Sequence, residues 1–311
     1  MKLTQARTVP FFIIAIVIAL GGCREKPKKK VDVKPSFKKV WGIKYTEIKR
    51  WLANGLTFDK SGYQLEPEWK LSFPSDDSAN IFSPERKVFY NFPVTYDHDS
   101  IVNMARAWLR VKKVTKDSLV FQILKVEGTT IYLEESQVYM TLYANDYIKN
   151  VLKTDAKTLM RPSKADTAFI MARAEYVNTH PDTAFAAREP VQFISKSSNI
   201  KVEKVEVHAQ AIRYDNVDPE DAYMYPEYNI TIKKAYSDFN YTFAAFVDAS
   251  GGLHFNKPLM AILPDYYEQK VKVMKGVMDG YLKLYLTTLP GTTLGIPHTS
   301  RVILRVKGIK G

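Results

Sequence analysis

A single cysteine in 311 residues sets the first constraint on how this chain can fold. With no second thiol there is no intramolecular disulfide, so the fold must be held by its hydrophobic core alone. The place of that cysteine adds a second constraint. Lys2 and Arg7 give the chain a positive start, residues 11–20 form a ten-residue apolar run, and Leu20-Gly21-Gly22-Cys23 closes the run with small residues. Such a run is too short to cross a bilayer core of about 30 Å as a permanent helix, and reads as a processed signal rather than a transmembrane anchor.

Leu20-Gly21-Gly22-Cys23 resembles the lipobox of bacterial lipoproteins, in which the cysteine is acylated and becomes the mature N-terminus. The resemblance implies a signal peptide at 1–22 and lipidation of Cys23 by acyl chains such as palmitate. Two or three chains hold a protein stably on a membrane, where one holds it marginally. The alternatives for a lone cysteine are an uncleaved N-terminal anchor and an inert buried side chain. Arg24 follows Cys23. In the sorting rule of such lipoproteins an Asp at that place retains the protein in the inner membrane, so the resemblance implies an outer-membrane, periplasm-facing location.

Residues 23–36 form the next segment, and from Arg24 to Ser36 it carries six basic and two acidic groups with two prolines. This composition cannot bury apolar area and reads as a solvated tether, with a reach on the order of 45 Å when extended. It is either a spacer kept soluble by charge or an electrostatic contact to anionic headgroups or cell-wall polymer. The chain as a whole has ordinary globular composition, 46% hydrophobic and 25% charged. Of the net charge of +12, Lys2 and Arg7 supply two and the tether four; the remainder is spread along the chain without an Arg-rich cluster or a nucleic-acid motif, which excludes nucleic acid as the expected partner. The 19 tyrosines suit half-buried sheet surfaces and contacts to sugars or proteins.

Hydrophobic patterning divides the remainder into three regions and gives an α+β class. Residues 37–105 are dense in turn signals (Asn54-Gly55, Ser75-Asp76-Asp77-Ser78, Ser83-Pro84, Phe92-Pro93) and read as an irregular α/β segment. A short helix is expected at 43–52, where Tyr45, Ile48 and Leu52 share a face. Residues 106–198 are expected to be β-rich. Trp108–Val114 and Leu119–Val126 flank a four-residue polar turn and predict a hairpin, with further strands at 131–133 and 138–143 and a short helix at 146–152. Together these suggest a small antiparallel sheet or half-open barrel. Residues 199–311 predict strands at 201–212, 228–236 and 241–248, a turn at Gly251-Gly252, a strand at 253–258, one long helix at 265–286 and a last strand at 301–306.

This C-terminal ββαβ order resembles the C-terminal domain of TonB-type energy transducers. Phe243-Ala-Ala-Phe-Val-Asp248, Tyr225-Pro226, the long helix, and Pro290-Gly291 before Val302-Ile-Leu-Arg-Val306 carry the likeness. It implies a shape only, since those proteins have an inner-membrane helix and a long Pro-rich spacer that this chain replaces with a lipid-anchor signal and a short tether.

Signals for catalysis are sparse. His98, His180, His208, His254 and His298 show no metal-ligand spacing, and no nucleophile elbow or phosphate loop is present, so neither cofactor nor metal is expected. Tyr96-Asp97-His98-Asp99-Ser100 is the densest polar cluster; it reads as a turn before 101–110, with acid–base or cation-holding chemistry as the alternative. One triplet recurs, Asp followed by Ser or Thr and an aliphatic residue, at Ser78, Ser100, Ser118, Thr167 and Thr183. It resembles the O-glycosylation site of Bacteroidetes exported proteins; the alternative is that Asp-Ser and Asp-Thr mark turns and caps. The sequence thus points to a non-enzymatic, lipid-anchored envelope protein that scaffolds or binds a partner. A glycan- or peptide-binding lipoprotein using exposed aromatics is the second reading, and a hydrolase at Asp97 and Asp99 the third.

Overall fold

The computed structural model describes residues 34–206 and 223–311. Cys23, the signal segment, most of the tether, His208 and the far end of the expected strand at 201–212 lie outside the described residues. The fold is α+β, dominated by one large antiparallel sheet, with a smaller sheet and its helix toward the C-terminus.

The large sheet is built from β1 (Tyr45–Leu52), β2 (Lys70–Ser75), β3 (Ser78–Ser83), β4 (Val88–Pro93), β5 (Thr95–Tyr96), β6 (Ile101–Met104), β7 (Ala107–Val114) and β8 (Ser118–Ile123). A short hairpin, β9 (Lys125–Glu127) with β10 (Thr130–Tyr132), then leads to β11 (Val138–Ala144). Its nine strands lie in the order β4-β3-β2-β1-β11-β8-β7-β6-β5. The two end strands are one stretch of chain, joined through Val94. That stretch pairs with β3 along its first part, from Ser83↔Val88 to Ser78↔Pro93. It then changes partner and pairs with β6 at Thr95↔Asn103 and Tyr96↔Val102. The sheet therefore closes on itself as an up-and-down barrel, of eight strands once β4 and β5 are counted as one.

An eight-stranded barrel has an interior just wide enough for side chains to fill. Alternating residues supply them: Leu71 and Phe73, Ala79 and Ile81, Val102 and Met104, Leu119 and Phe121, Met140 and Leu142. Phe37 and Val40 close one end, Phe37 stacking flat on Phe73 at 3.9 Å between ring centres. The segment before β1 is tied to the β2–β3 turn there. Asp76 accepts from the Phe37 amide at 2.7 Å, the Ser36 hydroxyl at 3.0 Å and the Trp41 indole at 3.2 Å.

Two expectations are corrected. Residues 43–52 are not a helix but belong to strand β1, which pairs with β11 from Tyr45↔Ala144 to Leu52↔Val138. Tyr45, Thr46, Ile48 and Trp51 are β-formers, and barrel pairing outweighs their helix-like spacing. Nor is 37–105 irregular: its dense turns are the hairpin turns of half a barrel. The boundary drawn at 105/106 falls in the β6–β7 turn, where Ala105 and Arg106 both have positive φ (49° and 66°).

The C-terminal unit contains β12 (Gln192–Ser195), β13 (Ile200–Lys204), β14 (Glu227–Ala235), β15 (Phe239–Val247), β16 (Leu253–Pro258), β17 (Leu286–Leu289), β18 (Thr292–Thr293), β19 (Ile296–Pro297) and β20 (Ser300–Lys310). Its main sheet has the order β13-β14-β20-β15-β16, with β20 parallel to β14 and antiparallel to β15. The helix Tyr267–Val277, continued by the π-turn Met278–Leu282, lays Met274, Val277, Met278 and Leu282 on this sheet, as the sequence predicts. The Gly251-Gly252 turn also forms as expected. Asp248 caps it, accepting from the Ser250 and Gly252 amides at 2.9 and 2.8 Å.

A 16-residue helix, Lys164–Thr179, connects the two units and was not expected. Ser163 and Asp166 form its capping box. Asp166 is fully buried, and its carboxyl is held below the usual range. Burial pushes it up, but the Ser163 hydroxyl and the Thr57 and Ser163 amides more than offset that. Ile170 and Val177 of this helix meet Phe58 and Phe185 in a third cluster that fixes the barrel to the C-terminal unit.

Candidate interaction surface

The barrel keeps one conspicuous departure from a closed surface. β6 and β7 turn at Ala105 and Arg106, and extending the β5–β6 register sets Ala105 opposite Pro93. Beyond that level β4 has β3 on one side and, among the described residues, no strand on the other. The β3–β4 hairpin thus projects past the barrel wall as an arm. Val88, Phe89 and Tyr90 on it are 45%, 50% and 36% exposed.

The direction of each backbone group on β4 follows from its neighbours. The Val94 amide donates to the Asp77 carbonyl at 2.9 Å, so Val94 points toward the β3 side. Strand alternation then turns Phe92, Tyr90 and Val88 toward β3, and Phe89, Asn91 and Pro93 outward. Pro93 agrees, because a residue without an N–H is tolerated where the ladder has no partner. Phe89 and Asn91 therefore offer their N–H and C=O groups to solvent along an open edge.

Aromatic rings cover both faces of the arm. Phe89 meets Phe82 across the hairpin at 5.2 Å, and Lys70 sits over the Phe82 ring at 5.1 Å. On the other face Tyr90 stands edge-on to Phe92 at 6.5 Å, with the Arg86 guanidinium 6.0 Å from the Tyr90 ring. Val-Phe-Tyr-Asn-Phe is a run of strand formers without a charge, bounded by Glu85-Arg86-Lys87 on one side and Pro93 on the other. Natural edges are usually blunted by charge or coverage, and this one is blunted only at its ends.

The remaining sites expected from sequence fall elsewhere. His98 contacts the Asp97 carboxylate, and Asp99 and Ser100 form the β5–β6 turn with φ of 44° and 65°, all at the surface. His180 stacks on Tyr176, and His254 pairs with Asp248 at 2.7 Å on the β15–β16 hairpin. His298 is buried, stacked on Phe185 at 3.8 Å, with Thr293 Oγ1 at 3.0 Å from Nε2. Burial drives its pKa down to about 4, aided by the charge of Arg173 and opposed by the Thr299 carbonyl, so it is neutral at pH 7. These side chains are not brought together. Among the described residues no group of three or more His, Cys, Asp or Glu is placed to hold a metal ion, and no helix is long and apolar enough to cross a membrane.

Of the recurring triplets, Ser78, Ser100 and Ser118 lie at the β2–β3, β5–β6 and β7–β8 turns, on the end of the barrel closed by Phe37. Ser118 is buried there, its Oγ 3.1 Å from Thr115 Oγ1. Thr167 is in the first turn of the helix Lys164–Thr179 and bonds the Ser163 carbonyl, while Thr183 is exposed in a 3-10 turn. The β4 edge itself escaped sequence reasoning. Its signal was there, an uncharged aromatic run between a Ser-Pro turn and a proline, but the run alone does not say which strands lack a neighbour.

No protein-family model matches this chain, and a search of curated proteins returns no significant match.

Proposed function

We propose that this chain is a non-enzymatic envelope protein, held to the membrane through Cys23, that binds a partner polypeptide on the open edge of β4. The observation that carries this reading is the arm itself. It combines outward N–H and C=O groups at Phe89 and Asn91 with exposed Val88, Phe89 and Tyr90 on both sides of the same strand. An added strand supplies main-chain hydrogen bonds for affinity, and side-chain contacts on alternate faces supply choice of partner. A glycan would use the rings and leave the backbone edge unsatisfied, so a polypeptide is favoured over the sugar ligand.

Placement supports the same reading. Lys34, the first described residue, pairs with Asp77 at the β2–β3 turn. The arm's tip, Ser83–Val88, is at the other end of β3, about 20 Å away at 3.3 Å per residue. A tether leaving at Lys34 for an outer-membrane leaflet would direct the arm into the periplasm. The likeness to TonB-type domains adds the shape of the C-terminal unit and no activity.

The test is in-cell crosslinking. A photoreactive residue at position 89 should give a discrete protein adduct in the envelope fraction. The same probe at Lys116, on the anchor-facing end, should not. Failure to form any adduct at 89, with the protein folded and membrane-bound, would remove the proposal.

A further inference from the structure

A second exposed apolar feature lies on the C-terminal unit, where β16 gives way to the helix Tyr267–Val277. The connection is Leu259-Met-Ala-Ile-Leu-Pro-Asp-Tyr-Tyr267, a run with a single charge. It leaves the sheet at the end where β15 begins, held there by the Leu259 amide, which donates to the Thr242 carbonyl at 2.9 Å. Ile262 turns back and packs on the core. Leu259, Met260, Ala261, Leu263, Tyr266 and Tyr267 are all exposed. Leu263, at 70%, is the most exposed large apolar side chain among the described residues. Single apolar side chains on a surface are ordinary, whereas a contiguous run of them marks an interaction site.

Two further observations bear on what covers this run. The first is charge. Lys257 precedes it, and Lys270, Lys272 and Lys275 follow it, all exposed, against Asp265 and Glu268. Lys270 lies over the Tyr241 ring at 5.8 Å and Lys275 over the Phe255 ring at 5.7 Å, which keeps both ammonium groups beside the sheet end and the helix. The second is the backbone. Among the described residues the amides of Met260, Ala261, Ile262 and Leu263 have no hydrogen-bond partner, and Pro258 and Pro264 have no N–H at all. The run is therefore not a strand edge with a register to offer a polypeptide, as β4 is. Nor does it suit the dry hydrocarbon of a bilayer, where every amide must be matched. It suits the headgroup layer, where water and phosphate oxygens accept from such amides while apolar side chains reach the acyl boundary. Tyrosine rings belong at that level too, apolar body inward and hydroxyl outward.

We infer that residues 259–267 form a membrane-contacting tip, inserted shallowly into the headgroup layer of an anionic phospholipid bilayer with Lys257, Lys270 and Lys272 on the phosphates. This contact is separate from any anchor at Cys23 and does not depend on it.

The test uses the polypeptide from Arg24 onward, which keeps every described residue and carries no acyl chain. With Cys23 absent, Ala261→Cys supplies one thiol for an environment-sensitive fluorophore. Vesicles of about one-third anionic phospholipid should shift its emission to the blue, and lipids brominated near the headgroup should quench it more than lipids brominated deep in the chain. The same label at Thr183→Cys should do neither, since its neighbour Ala184 shares a cavity with Arg301, at the opposite end of the sheet. Met260→Asp with Leu263→Asp should lower vesicle partitioning at least about tenfold, and Lys270→Gln with Lys272→Gln about tenfold to thirtyfold on anionic vesicles with little change on zwitterionic ones. The basic tether is common to all variants and cancels in these comparisons. Because the four side chains are exposed, Tm should stay within about 2 °C of the parent in both variants. No blue shift at position 261 up to about 5 mM lipid, or a shift that survives Met260→Asp with Leu263→Asp in the folded protein, would overturn the assignment. So would a dimer in lipid-free solution that the same two substitutions dissolve, because the tip would then be covered by a second copy of the chain.

Discussion

Glu47→Gln probes how the barrel holds itself together where its main-chain ladder fails. Glu47 is fully buried at the end of the β1–β2 pairing; its amide makes the last main-chain bond, to the Trp69 carbonyl at 2.7 Å, and its carboxylate takes over where the ladder stops. Oε2 accepts from the Glu68 and Trp69 amides at 2.8 and 2.9 Å and from Arg50 Nη2 at 2.9 Å, while Oε1 accepts from Arg50 Nε. Glutamine keeps the volume but removes the charge and turns one acceptor into a donor aimed at other donors. It leaves the Arg50 guanidinium, with 14% of its side chain exposed, facing only the more distant and more exposed Glu68 carboxylate at 3.9 Å. Breaking a buried pair from one side costs about 3–5 kcal/mol, and the partial exposure of Arg50 places this case near 3. At roughly 2–4 °C per kcal/mol for a chain this size, Tm should fall by about 6–12 °C. Urea unfolding followed by circular dichroism measures it. The double variant Glu47→Leu with Arg50→Met refines the reasoning, since it removes both charges but still orphans two amides. It should recover part of the loss and still fall about 1–3 kcal/mol short of the parent. A Glu47→Gln penalty below about 1 kcal/mol would refute the argument that this carboxylate closes the seam.

The other predictions concern the C-terminal unit and the β4 arm. His298 has its pKa lowered from 6.5 to about 4 in the folded state, so the unfolded chain binds the proton more readily between those values. Its contribution is complete above pH 6.5 and is lost as pH falls toward 4, up to about 3 kcal/mol, and His298→Gln should flatten that part of the stability–pH profile; an unchanged slope would contradict it. Gly251→Ala should cost about 2 kcal/mol or more, because φ is +88° and the new Cβ would stand 2.3 Å from the Thr288 carbonyl oxygen. Gly295→Ala, at φ +74° with open space around it, should cost only about 1; equal Tm losses would show that the close approach to Thr288 is not what matters. Phe89→Ser with Tyr90→Ser removes the ring contacts to Phe82 and Phe92 and should lower urea stability by only about 1–2 kcal/mol while abolishing the envelope crosslink, whereas a loss above about 3 kcal/mol would mean the arm packs on the body of the protein.

Much of the local structure was legible in the sequence, and the long-range pairing was not. The β7–β8 hairpin, the Gly251-Gly252 turn and the helix that buries Met274 and Met278 each rest on contacts within a few residues, so periodicity and turn chemistry expose them. Barrel closure depends on Val88–Tyr96 exchanging β3 for β6, a pairing decision no local pattern carries. β20 inserting between the consecutive strands β14 and β15 is the same kind of event. Residues 43–52 misled because three apolar residues at helical spacing also fit a bulged strand, in which Ile48 interrupts the alternation. The helix Lys164–Thr179 could have been found from Ser163-x-x-Asp166 followed by Ile170, Ala174 and Val177. The arm was readable only in part. Its aromatic run is plain in the chain, but its exposure comes from the neighbouring hairpin ending one level too soon.

Amide hydrogen exchange along β4 tests the central claim most directly. An open edge predicts alternation: the Tyr90 and Phe92 amides, directed at β3, exchange slowly, while those of Phe89 and Asn91 exchange near the rate of an unstructured peptide. Uniform protection of all four amides in the isolated protein would mean that the outer edge is already paired, and the account of β4 as a free docking strand would be wrong.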